Sequence, residues 1–85
     1  MIWDYRVMRN KQGKYGDYSI HEVFYDEKKK ILGWTHDVSE PVGDNVDELK
    51  VDLQRMLMAF DEPVLDHRTG KPIKNKMIQS KMACQ

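Results

Sequence analysis

The chain has little cysteine, little proline and glycine, and no long apolar run. Its single cysteine, Cys84, cannot form an internal disulfide, so no cross-linked scaffold is available. That points to a reducing compartment, most simply the cytoplasm. Without a long apolar stretch, neither a signal peptide nor a membrane span is expected. Acid is missing from one end. All fourteen Asp and Glu lie in residues 1–66, against nine Lys and Arg, which leaves that part at −5. Residues 67–85 carry five cations, Arg68, Lys71, Lys74, Lys76 and Lys81, with no acid, a balance of +5. The chemistry-bearing motifs are absent too. There is no glycine-rich phosphate loop, no zinc-ligand spacing, and no nucleophile with a matched base. No metal, no cofactor and no enzymatic activity are expected. Cys84 has no neighbour that would lower its pKa and is not a catalytic candidate.

What is present is enough for one small domain. Eighty-five residues bury a modest share of their surface, so oligomerisation would add stability that the monomer lacks. The expected organisation is α+β over residues 1–66, a three-stranded antiparallel meander followed by one helix packed on the sheet. A basic tail, weakly ordered or short-helical, is expected over 67–85.

Residues 2–9 alternate, with Trp3, Tyr5 and Val7 on one side and Asp4, Arg6 and Met8 on the other, as in a half-buried strand. A second strand is expected from Tyr15 to Tyr25, rich in aromatic and β-branched residues. Its alternation is imperfect, because Glu22 shares a face with Ile20 and Phe24. A bulge or a sheet covered on both sides would explain this. Asp26–Lys30 reads as a charged turn, and Ile31–Thr35 as a short third strand.

The clearest local signal is the helix start. Asn45 is a suitable N-cap, and Glu48 stands three residues later as in a capping box, expected to reach the Asn45 N–H. Asp47 and Glu48 add negative charge at the positive end of the helix dipole. Behind them Val46, Leu49, Leu53, Met56, Leu57 and Phe60 recur at helical spacing and are expected to face the sheet. Pro63 ends the helix, and Val64-Leu65 can add a short extended piece.

Three functional readings follow. The first is a non-enzymatic protein-interaction module, working as a homo-oligomer, most simply a dimer, or with another protein. Its contacts are expected at Trp34, Tyr18, Tyr25, Val51 and Met58. Val51 and Met58 lie two turns apart and roughly opposite the main stripe, and the aromatics exceed what so small a core needs. The second is nucleic-acid binding through Arg68, Lys71, Lys74, Lys76 and Lys81. The third, weakest, is a hydrolytic or metal-dependent site at His36, Asp37 and Glu40, whose spacing fits no ligand loop. His21-Glu22 offers no dyad, since neighbouring strand residues point to opposite faces.

The runs Trp3-Asp4-Tyr5-Arg6-Val7, Ile20 to Asp26, Gly33-Trp34-Thr35, Pro41 to Leu49, Asp52-Leu53 and Pro63-Val64-Leu65 resemble a family of short uncharacterised bacterial and phage proteins. That resemblance covers about residues 3–66 and implies a bacterial or mobile-element origin with no catalytic residue. The order of strands, then Gly43-Asp44-Asn45 turning into the Asp47-Glu48-Leu49 helix, is more loosely similar in architecture to HicB-type antitoxin domains. Those bind a toxin and dimerise, and they use a separate region for DNA. Glu40-Pro41-Val42 stands where those domains carry a Pro-Gly-Cys loop.

Overall fold

The alternating run near the N-terminus becomes the central strand. The computed structural model describes residues 2–11 and 16–73. In it β1 (Ile2–Arg9) pairs antiparallel with β2 (Tyr18–Tyr25) in a continuous register from Ile2↔Tyr25 to Arg9↔Tyr18. The second strand starts at Tyr18, and Tyr15 lies outside the described residues. β3 (Ile31–Trp34) adds to the far edge of β2, also antiparallel. Helix α1 (Val46–Met58) continues into a 3-10 turn over Ala59–Asp61. The chain then returns as β4 (Leu65–Asp66), which runs parallel to β1.

The fold is therefore α+β, but the sheet has four strands rather than the expected three, in the order β3-β2-β1-β4. The fourth is only Leu65–Asp66, too short to show a period-2 pattern. The piece after Pro63 does not merely lie over the core but joins the sheet edge.

Placing β1 between two partners buries it on both sides. Tyr5, Arg6, Val7 and Met8 are all buried. On one face Tyr5 and Val7 pack with Met56 and Ala59, flanked by Trp3, Ile20 and Val64. On the other, Met8, Val23 and Leu65 pack together, flanked by Tyr25, Ile31 and Trp34. This two-sided cover, one of the two expected causes, accounts for the irregular pattern of β2. A bulge is present as well, but in β3, and it leaves the register of β2 with β1 unbroken. Phe24 pairs with Gly33 and Tyr25 with Ile31, so Leu32 is the extra residue.

The charged turn closes as its composition suggests. Asp26 Oδ1 accepts from the Lys28 and Lys30 amides, at 2.8 and 2.9 Å. Lys29 takes a positive φ of 63°, a conformation that glycine would adopt with less strain.

Residues 67–73 also belong to the body. The His67 amide donates to the Arg9 carbonyl at 3.0 Å, and the Ile73 amide to the Val64 carbonyl at 2.8 Å. Trp34 Nε1 donates to the His67 carbonyl at 2.9 Å. Gly70, at φ 73°, lies so close to the Trp34 ring that a Cβ there would sit 2.3 Å from Cζ3. The rest of the expected tail, with Lys74, Lys76 and Lys81, lies outside the described residues. No described helix is long and apolar enough to cross a membrane.

Candidate protein-interaction face

The start of α1 forms at the expected place. The Glu48 amide donates to Asn45 Oδ1 at 2.9 Å, which satisfies one of the free donors of the first turn. The return half of the box differs from expectation. Glu48 Oε1 accepts from the Asp44 amide at 3.1 Å, and its Oε2 accepts from the Asn45 side-chain amide at 3.3 Å. Gly43 folds tightly over this turn, and a Cβ there would meet the Leu49 amide nitrogen at 2.3 Å.

The rotation of α1 about its own axis decides the character of the surface. Polar atoms hold it. The Tyr5 hydroxyl donates to Asp52 Oδ1 at 2.6 Å, while Asp52 Oδ2 accepts from the Val42 amide at 2.9 Å. Burial, and then the Asp52 carboxylate, push the Tyr5 hydroxyl pKa up to about 12, so it stays a donor. The same bond, with the Val42 amide, holds the Asp52 pKa below the usual range. One turn on, the Arg55 guanidinium lies over Trp3, 4.3 Å from the ring centroid. Met56 and Ala59 complete the side that meets the sheet, at helical spacing i, i+3, i+4, i+7 from Asp52.

This arrangement corrects the expected helix face. Of the six residues expected to pack on the sheet, only Met56 is buried. The other five are open to solvent: Val46 at 79%, Leu49 at 36%, Leu53 at 49%, Leu57 at 68% and Phe60 at 57% exposure. Leu53, Leu57 and Phe60 each follow a sheet-facing residue by one position, and one residue turns a helix by about 100°. The apolar stripe is thus turned about a quarter of the way round, from the sheet into water. These five residues form a run of large exposed apolar side chains at helical spacing, which makes this face the candidate site.

The five residues expected at protein contacts fall in three places. Val51 and Met58 are exposed on α1, away from both the sheet and the stripe. Tyr18 is exposed at the start of β2. Trp34 and Tyr25 pack in the second core cluster, where the Tyr25 hydroxyl accepts from Arg6 Nη1 at 2.9 Å. The structure does not bring these five into one patch. The exposed stripe is hidden from a sequence reading because apolar periodicity alone reads as core. A second clue lies in Asp52, Arg55 and Ala59, which share a helix face suited to an aromatic strand.

The basic residues are partly gathered. Arg9, Asn10, Lys11, Asp66, Arg68 and Ile73 line a groove of about 500 Å³. Arg68 is exposed, with its Nε 3.8 Å from Asp66. Lys71 is exposed two residues from Ile73.

All three histidines gather near the His67 turn. His21 is buried, 4.9 Å from His67 between ring centroids, and His36 is 6.0 Å from His67. The Thr35 carbonyl, 3.0 Å from His21 Nδ1, can only accept, so Nδ1 carries the proton and Nε2 accepts from the Ser19 hydroxyl at 2.8 Å. Burial chiefly lowers the His21 pKa, and the neighbouring His67 and His36 lower it further, against the bond to Thr35. His21 is thus a satisfied core residue linking β2 to the end of β3. Among the described residues no group of three or more potential ligands could hold a metal ion. His36, Asp37 and Glu40 instead line an open depression of about 570 Å³ with Tyr5 and Glu22.

No protein-family model, no curated protein and no solved structure matches this chain.

Proposed function

We propose that this protein is a small non-enzymatic interaction module, and that α1 is its contact element. The observation that carries the reading is the stripe Val46, Leu49, Leu53, Leu57 and Phe60 exposed beside a helix face already occupied by the sheet. A helix that seats one side on its own core and offers an apolar second side can dock on another protein without reorganising itself. The polar anchors at Asp52 hold the helix in that rotation before any partner arrives, which limits the entropy cost of docking.

The test is a pair of charge substitutions in the full chain. Leu57→Lys should abolish association, whether with itself or with another protein, and leave the circular dichroism spectrum in place. Val51→Lys, on another side of the helix, should leave association intact. Association that ignores Leu57→Lys would overturn this reading.

A second reading draws support from the basic groove. Arg9, Lys11 and Arg68 extend the cationic tail residues Lys71, Lys74, Lys76 and Lys81 onto the folded body, as an antitoxin-like nucleic-acid-binding regulator would require. It predicts duplex binding that weakens steeply with salt and with Arg9→Ala. Absence of a mobility shift at low salt would end it.

A further inference from the structure

We infer that the apolar face of α1 is a homodimer interface, in which two copies of the helix pair antiparallel across a two-fold axis at Leu53. This rests on the interaction-module reading and names its partner as a second copy of this chain.

The spacing of the stripe carries the inference. Val46 and Phe60 each lie seven residues from Leu53, and Leu49 and Leu57 each lie four. The stripe is therefore a palindrome about Leu53. A two-fold interface needs that property, because every contact of residue i with residue j is repeated as j with i. Antiparallel pairing sets Leu53 against Leu53, Leu49 against Leu57, and the small Val46 against the large Phe60. Steps of three and four residues also keep the five on one seam, as in helix pairs that pack knobs into holes. Opposed helix directions set the dipoles favourably.

Area is sufficient. At the exposures above, the five side chains leave about 500 Å² open, near the upper end for the largest patch on a monomer. Two copies would remove about 1,000 Å² from water, which meets the lower bound for a specific interface. The sheet-facing side cannot supply a second face, since Asp52, Met56 and Ala59 are engaged.

The flanks make a prediction of their own. In this register Asp61 of one copy lies across from residue 45 of the other, close to Asp47. Like charges meet there, so salt should strengthen the dimer or leave it unchanged. A dimer held by the basic residues 67–85 on an acidic neighbour would dissociate in salt instead.

The experiment uses the full chain. Light scattering after size exclusion should give a dimer at low and at high salt. Leu53→Glu places two carboxylates against each other and should weaken the dimer at least about a hundredfold, with the circular dichroism spectrum unchanged. In a Cys84→Ser background, Leu53→Cys should cross-link to itself. Val46→Cys and Phe60→Cys should each fail alone and cross-link when mixed.

A salt-labile dimer, a self-linking Val46→Cys, or a wild-type monomer would each overturn the proposal. The last case separates it from the broader reading. A monomer whose binding of a hydrophobic dye is lost on Leu57→Lys keeps the face open for another protein, so only self-pairing fails. A monomer that binds no dye would have the stripe covered within its own chain, and both readings fail.

Discussion

The two faces of the sheet are closed by opposite means. On the α1 side the cover is a regular helix that buries only Met56 of its own length, with Ala59 just beyond it, and leaves seven large apolar residues exposed between Val46 and Phe60. On the other side the closing segment, Pro63 to Ile73, is irregular apart from the two residues of β4, yet it is held at many points. Leu65 is fully buried, Trp34 and Arg6 donate to the His67 and Pro63 carbonyls, and Gly70 rests on the Trp34 ring. Regular secondary structure and tight packing have separated. The helix leaves most of its apolar surface exposed, and the turn supplies much of the closure within the molecule.

That contrast can be broken from either side, and the turn should be the more sensitive. Leu65→Ala, at a fully buried position, should cost about 3 kcal/mol in urea unfolding. Gly70→Ala should cost about 2 kcal/mol, from its positive φ and the collision with Trp34. Trp34→Phe removes the donor to His67 and, with the smaller ring, part of the packing against Gly70, and should also cost about 2 kcal/mol.

Acid should attack the same side. His21 is neutral when folded, with a pKa below its ordinary 6.5. The unfolded chain binds a proton first as pH falls, so this contribution is complete above about pH 6.5 and declines as pH drops through the lowered folded value. Urea midpoints should therefore fall between about pH 7 and about pH 5, and His21→Asn should flatten that slope. The smallest effect is expected on the helix. Val51→Gln should shift stability by no more than about 0.5 kcal/mol, because Val51 is exposed and stands outside both core clusters. A loss there as large as at Leu65 would erase the distinction between the two covers.

Much of the fold is legible in the amino-acid sequence. The strand at Ile2–Arg9, the Asp26–Lys30 turn and the helix start at Asn45 are local events, written in alternation, turn chemistry and capping. β4 is not legible, because two residues acquire strand geometry only by pairing with Met8 and Arg9. Nor is the ordering of His67–Ile73, which depends on partners far along the chain at Arg9, Trp34 and Val64. The candidate site is half legible. The stripe stands out by its period, but its period points to the sheet and not to the water it meets, and Trp34 and Tyr25 serve the core.

Local signals alone are enough to make residues 46–58 a helix with one strongly apolar stripe, because capping and periodicity act within a few residues. Which way that stripe points is settled by contacts distant in the chain. The Tyr5 hydroxyl and the Val42 amide, 47 and 10 residues from Asp52, fix the rotation, and small Ala59 lets the helix end sit close to β1. Turning Asp52's side of the helix to the sheet satisfies these donors and seats Arg55 on Trp3, and it leaves the leucines exposed.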